Sequence, residues 1–183
     1  SLGLKKVDEI GCCDFLKMGW QAGGAEYMDS YTFHTPIGFL TIREEEQKLT
    51  NLFWRAASEK MMKNERHSDF LHEVYTQVNE YFAGRRRQFD VALKYEGTPF
   101  QQSVWRQLQK IPYGETRSYQ EIAIGIGNEK AVRAVGQANN KNPIMIIIPC
   151  HRVIHKNGDI TGFACGVEVK QYLLDLEKGM GLR

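Results

Sequence analysis

The stretch "NPIMIIIPCHRVI", residues 142–154, sets the tightest limit on what this chain can fold into. Five consecutive apolar residues, Ile144 to Ile148, lie between Pro143 and Pro149. An apolar run that short, bounded by turn signals, reads as a strand buried on both faces. Pro149 has no N–H to give a ladder, so the strand must end and the chain must turn where Cys150 follows. The chain therefore delivers its thiol at the edge of a core, with His151 and Arg152 directly beside it. Most buried cysteines are inert small apolar side chains. Here the forced turn and the two basic neighbours predict a thiol held partly as thiolate, the form that attacks electrophiles.

A buried strand needs a core around it, and 183 residues with 42% hydrophobic and 25% charged side chains can supply one good core or two small ones. No apolar run reaches the roughly 18 residues of a membrane span. Asp8, Glu9, Asp14 and Lys17 interrupt the N-terminal stretch where a signal-peptide core would lie, so a cytoplasmic protein is expected. The net charge of +2 divides unevenly: residues 1–97 carry 13 Lys and Arg against 15 Asp and Glu, and residues 98–183 carry 11 against 7. The basic surplus accompanies Cys150, which permits a nucleic-acid partner without requiring one. Four cysteines, Cys12, Cys13, Cys150 and Cys165, show neither disulfide-framework nor zinc-ligand spacing, so reduced thiols and no metal are expected.

Three segments are expected. Residues 1–27 read as a flexible extension, with Met28 as the natural start. Residues 28–97 open with strand-like runs around Tyr31 and Phe33, turn at Thr35-Pro36-Ile37-Gly38, and continue in strands to Trp54. An amphipathic helix follows, with Phe70, Leu71, Val74, Val78, Tyr81 and Phe82 on its apolar face, Ser68 as N-cap and Gly84 as stop. Phe89, Val91 and Leu93 then alternate as an edge strand, and Arg85–Arg87 read as a solvated connection. From residue 98 helices dominate: one with Phe100, Val104, Leu108 and Ile111 inward, a short one ending at Gly125–Gly127, one capped by Asn128, and a last one with Val169, Tyr172, Leu173 and Leu176 inward. The two short helices joined by a glycine turn form a helix-turn-helix candidate, a pattern common in proteins that bind no DNA.

Pro149-Cys150-His151-Arg152-Val153-Ile154 resembles the active-site signature of the methylated-DNA protein cysteine methyltransferases, also called alkylguanine-DNA alkyltransferases. "GTPFQQSVW", "IPYGETRSY", "AVRAVGQANNKNPI", "GDITGF" and "VKQYLLDLEKG" follow the family's order and spacing, so residues 98–179 match tightly. Residues 28–97 match through Thr35-Pro36-Ile37-Gly38 and Tyr81-Phe82-Ala83-Gly84. The resemblance implies an α/β protein, with an N-terminal ribonuclease-H-like α/β domain over 28–97 and a mostly helical, winged-helix-like DNA-binding domain over 98–183. It also implies direct repair of double-stranded DNA containing alkylated guanine. An alkyl group would pass from the exocyclic oxygen at carbon six to Cys150, once per molecule and without a cofactor. A monomer is expected.

The resemblance also assigns roles. His151, acting through a water and supported by Glu177, would generate the thiolate; Asn142 would bridge the helix-turn-helix to the active-site strand. Arg133 would fill the gap left by the extruded base, Tyr119 would crowd the 3′ phosphate, and Gln120 and Asn128 would contact the backbone. Ile148, Cys150 and Val153 would read the guanine edge through backbone groups, with Phe163 stacking on the base and Ala164 lining the pocket. Without the resemblance, Glu177 reads as a solvated carboxylate, Asn142 as a turn residue and Phe163 as core. Two departures stand out: Phe163 replaces the more usual tyrosine, and Cys165 stands where glycine is usual. A cysteine hydrolase or acyltransferase built on a Cys-His-Glu set is the rival enzyme class; it has no use for Tyr119 or Arg133. A module that recognises alkylated DNA without repairing it is the rival binding class, and the presence of Cys150 argues against it.

Overall fold

A computed structural model describes residues 29–55 and 68–180; Met28, Cys12, Cys13 and the rest of the N-terminal extension lie outside them. Strands β1 (Ser30–Thr35), β2 (Gly38–Glu45) and β3 (Lys48–Arg55) form an antiparallel meander in the order β1-β2-β3. The expected turn at Thr35–Gly38 closes the first hairpin, where Thr35 and Gly38 face each other. The second turns at Glu46 and Gln47, both at positive φ. Such paired left-handed residues match the twist of tight hairpins. Helix α1 (Asp69–Phe82) starts where expected, with the Ser68 hydroxyl accepting from the Leu71 N–H. Its buried face, Leu71, Val74, Val78, Tyr81 and Phe82, packs on β1 and β2. Arg86 pairs with Glu80, and Arg85 and Arg87 are exposed, as a solvated connection requires.

Residues 89–93 are not the expected strand. Only Leu93 bridges, in parallel to Leu49, and the segment is held by side chains as much as by backbone. The Gln77 amide donates to Asp90 O at 3.0 Å and accepts from Asp90 N–H at 2.9 Å, standing in for a ladder pair. The apolar run after Pro143 is also not a strand. It bridges β3 only at Ile144, opposite Leu52, with Leu52 N–H donating to Pro143 O and Met145 N–H to Leu52 O, each at 2.9 Å. It then coils through a turn with Ile146 at φ 71°. The burial was legible and the extended backbone was not: the prolines at both ends withhold donors, and Asn142 closes the loop across them. Its amide N–H donates to Ile148 O at 2.7 Å while its carbonyl accepts from Ile144 N–H at 3.0 Å. These two tethered segments cover the open edge of β3 and bring the start of the site against the sheet.

The second half is helical. Helix α2 (Pro99–Leu108) has a capping box between Thr98 and Gln101. The short strands β4 (Arg117–Ser118) and β5 (Val153–Ile154) pair in parallel. Helix α3 (Tyr119–Gly125) is boxed by Ser118 and Glu121. At Gly125 the Gln107 side chain from α2 lies where a Cβ would be, its amide nitrogen 2.3 Å from that position. Helix α4 (Val132–Asn140) begins later than expected. Asn128 does not cap it; residues 128–131 form a separate turn closed by Ala131 N–H to Asn128 O at 3.0 Å, and α4 has no side-chain cap. Helix α5 (Val167–Glu177) ends the described chain. No helix of the described residues is long and apolar enough to cross a membrane.

Candidate active site and nucleic-acid face

Cys150 sits at the head of a single 3-10 turn, Cys150–Arg152, that leads into β5. Pro149 before it and the parallel pairing of β5 after it fix the turn from both sides. Cys150 is 4% exposed and His151 is fully buried. The site is assembled around the carboxylate of Glu177, at the end of α5. Oε1 accepts from His151 Nε2 at 2.6 Å, from the Tyr81 hydroxyl at 2.8 Å and from Arg152 Nη2 at 3.0 Å. Oε2 accepts from Arg152 Nε at 2.8 Å and from Gly114 N–H at 3.0 Å. Arg152 Nη1 donates to Ile111 O at 2.7 Å. Burial works to raise the Glu177 carboxyl, but the hydrogen bond from His151, and then the hydrogen bonds and charge of Arg152, hold it far below the usual carboxylate range.

A carboxylate can only accept, so His151 carries its proton on Nε2 and leaves a lone pair on Nδ1. That Nδ1 is buried and takes no hydrogen bond from the described residues. Burial keeps the ring neutral, pushing its pKa down against the pull of Glu177. Burial likewise pushes the Cys150 thiol up, opposed by the Asn142 side chain and by the charge of Lys170. The resting side chain is thus a thiol beside a neutral base. This corrects the expectation of a resting partial thiolate: Arg152, one of its two basic neighbours, spends its charge on Glu177.

Lys170 was not singled out from the sequence. It is fully buried, donates from Nζ to Val153 O at 2.5 Å, and lies 5.4 Å from the centroid of Phe163 and 5.9 Å from that of Tyr119. Burial lowers its pKa to about 8. The signal was a lysine sharing a helix face with Leu173, Leu174 and Glu177. Tyr81 carried no signal, because a tyrosine on an apolar helix face reads as core. Asn139, at the end of α4, was also missed; its amide donates to Cys150 O at 3.4 Å.

The structure brings Cys150, His151, Glu177 and Asn142 together. The carbonyls of Ile148, Val153 and Cys150 accept from the side chains of Asn142, Lys170 and Asn139, and two of them take a second, backbone bond: Ile148 O from Cys150 N–H at 2.8 Å and Cys150 O from Val153 N–H. Phe163 is buried and Ala164 exposed. Tyr119 opens α3 and packs its ring on His155, at 5.0 Å between centroids. Gln120 spends its amide on Glu129 O at 3.0 Å, and Asn128 is exposed in the α3–α4 turn. On α4, Arg133, Ala134 and Gln137 are exposed on one side, while Val135 and Ala138 face inward, with Trp105 Nε1 donating to Ala138 O at 2.9 Å. Arg133 is therefore on the outer face and not in the site. Among the described residues no group of three or more His, Cys, Asp or Glu could hold a metal.

Fold and site together define a group-transfer protein in which a buried cysteine, served by a histidine–glutamate pair, sits behind a two-helix face. Residues 99–179 match the family description "6-O-methylguanine DNA methyltransferase, DNA binding domain", and residues 28–95 match "6-O-methylguanine DNA methyltransferase, ribonuclease-like domain". The chain belongs to the 6-O-methylguanine DNA methyltransferase family. It is 49% identical over 151 residues to the methylated-DNA–protein-cysteine methyltransferase of Methanosarcina acetivorans, covering 79% of this chain and 95% of that one. It is 48% identical over 154 residues to the constitutive enzyme of that name from Bacillus subtilis, covering 80% and 93%. The crystal structure of Mycobacterium tuberculosis OGT in complex with DNA superposes with a TM-score of 0.75 at 46% identity, covering 84% of this chain and 94% of that one. The cysteine hydrolase or acyltransferase reading finds no counterpart among these relatives.

Proposed function

We propose that this chain repairs O6-alkylated guanine in double-stranded DNA by moving the alkyl group to Cys150, as a monomer in the cytoplasm, with residues 28–97 and 98–183 as its two domains. The observation that carries the reading is a buried Cys150 thiol followed at once, in the same 3-10 turn, by His151, whose Nε2 is held by Glu177 and whose Nδ1 lone pair is free. The thiol proton leaves towards Nδ1, and Glu177 steadies the imidazolium that forms. The Cys150 sulfur attacks the alkyl carbon, the S–C bond forms as the C–O bond breaks, and the electron pair goes to the guanine ring. The ring takes up one proton, so guanine is restored and the thiol's hydrogen is accounted for. A thioether offers no route back, hence one event per molecule. Lys170 supports the developing thiolate electrostatically.

Reaching a base inside a duplex requires extruding it, at a cost of a few kcal/mol that is least for a poorly paired lesion. Arg133, exposed near the start of α4, is the residue proposed to fill the gap; Tyr119 presses the backbone, and Gln120 and Asn128 hold phosphates without reading sequence. Phe163 and Ala164 shape the pocket. Cys150→Ser tests the reading: it is expected to abolish transfer and retain affinity for methylated duplex, because a hydroxyl is a poor nucleophile at neutral pH. Retained transfer in that variant would overturn it.

A further inference from the structure

We propose that Tyr81, from α1, is a positioning residue that tunes the reactivity of Cys150 through Glu177, so that the first half of the chain takes part in the chemistry of the second. This rests on the alkyl-transfer reading above. The Tyr81 hydroxyl donates to Glu177 Oε1 at 2.8 Å, the same oxygen that accepts from His151 at 2.6 Å. Both residues are buried, and they lie 96 positions apart in sequence. The ring is held by Phe82, Phe89 and Tyr113, each within 6.2 Å between centroids, so the hydroxyl has little freedom to leave. Burial and the neighbouring Glu177 charge keep the phenol protonated, hence a donor.

A donor on a carboxylate oxygen draws charge away from the other groups that share it. The groups facing Glu177 are Tyr81 from α1, Tyr113 and the Gly114 N–H from the loop after α2, and His151 and Arg152 from the 3-10 turn; Lys170, on the same helix as Glu177, bears on His151 by its charge. Arg87 reaches the cluster only over the Tyr113 ring. Arg152 anchors both carboxylate oxygens, and Tyr81 moderates the one that meets the imidazole. Removing the hydroxyl leaves Oε1 more negative, strengthens its hold on the imidazolium, and lets the thiolate form at lower pH. The same removal loosens Glu177, so the plateau rate does not rise.

The test follows the pH dependence of Cys150 alkylation in the full chain by peptide mass spectrometry, using iodoacetamide and, separately, methylated duplex. Tyr81→Phe keeps the ring and is expected to move the midpoint of the Cys150 profile down by about half a unit to one unit. Val78→Ala, a core truncation on the same helix, lowers stability and is expected to leave the midpoint unmoved. In a Glu177→Gln background Tyr81→Phe is expected to produce no further shift. An unshifted midpoint in Tyr81→Phe, or an equal shift in the Glu177→Gln background, overturns the inference while leaving alkyl transfer intact. Failure of the native protein to take methyl from DNA onto Cys150 would instead overturn the reading on which it rests.

Discussion

Replacing Glu177 with alanine removes the acceptor of five donors at once: the Tyr81 hydroxyl, His151 Nε2, two nitrogens of Arg152 and the Gly114 N–H. Arg152 would remain buried with the Ile111 carbonyl as its remaining hydrogen-bond acceptor and the Tyr113 ring face 5.7 Å away, neither of which carries a compensating charge. Breaking a buried ion pair from one side costs about 3–5 kcal/mol, since the remaining charge has no compensation. At about 2–4 °C per kcal/mol for a chain of this size, the melting temperature is expected to fall by roughly 6–20 °C. Glu177→Gln keeps the volume but turns N–H donors towards Arg152, so it recovers little. Glu168→Ala, an exposed carboxylate in the first turn of α5, is the control and should cost about 1 kcal/mol or less. The pH dependence has a definite sign. Because the folded-state pKa of Glu177 is depressed, its contribution is fully present above the unfolded carboxylate value of about 4.3 and is lost as pH falls below it. His151, buried neutral, adds a second loss that begins below about 6.5. Urea denaturation of native and Glu177→Gln protein across the acid range checks both. A loss under about 1 kcal/mol for Glu177→Ala, or a native-minus-Gln difference that does not shrink below about pH 4.3, would refute the reasoning.

Arg133→Ala is expected to slow single-turnover repair of duplex DNA far more than reaction with a free alkylguanine base, because only the duplex reaction must hold a base out of the stack; equal losses would mean that Arg133 serves the fold. Affinity for duplex DNA should fall linearly on logarithmic axes as salt is raised, measured by fluorescence anisotropy, and a flat line would count against phosphate contacts. Cys165 is half-buried, two positions beyond Phe163 and packed on the core. If its side chain narrows the pocket, the methyl-to-benzyl rate ratio is high in the native protein and drops in Cys165→Gly; an unchanged ratio rejects the narrowing.

Features fixed by local chemistry were readable in advance. Ser68 and Gly84 bound α1 as expected, and Thr35–Gly38 turns the first hairpin, because caps and tight turns depend on the few residues that form them. The run Ile144–Ile148 shows the limit. Its burial followed from composition, yet its coiled path depends on the Asn142 side chain bonding both ends of the loop, which hydrophobic pattern does not encode. Residues 89–93 fail as a strand for a similar reason, since Gln77 satisfies Asp90 in place of a neighbouring strand. In the site, Cys150 and His151 were marked by their prolines and adjacency. Glu177 and Asn142 were reached only through the resemblance, and Tyr81 and Lys170 were missed, because a polar atom on an otherwise apolar helix face declares its partner only once the helices are packed.

The central claim is that Cys150 is the acceptor and is consumed. Incubating the protein with a duplex that carries one methylated guanine and measuring intact and peptide mass tests it directly. The account predicts a gain of a single methyl group, localised to Cys150, with the guanine restored and product equal to protein. Many turnovers per molecule, or a methyl group found on Cys12, Cys13 or Cys165, would contradict it.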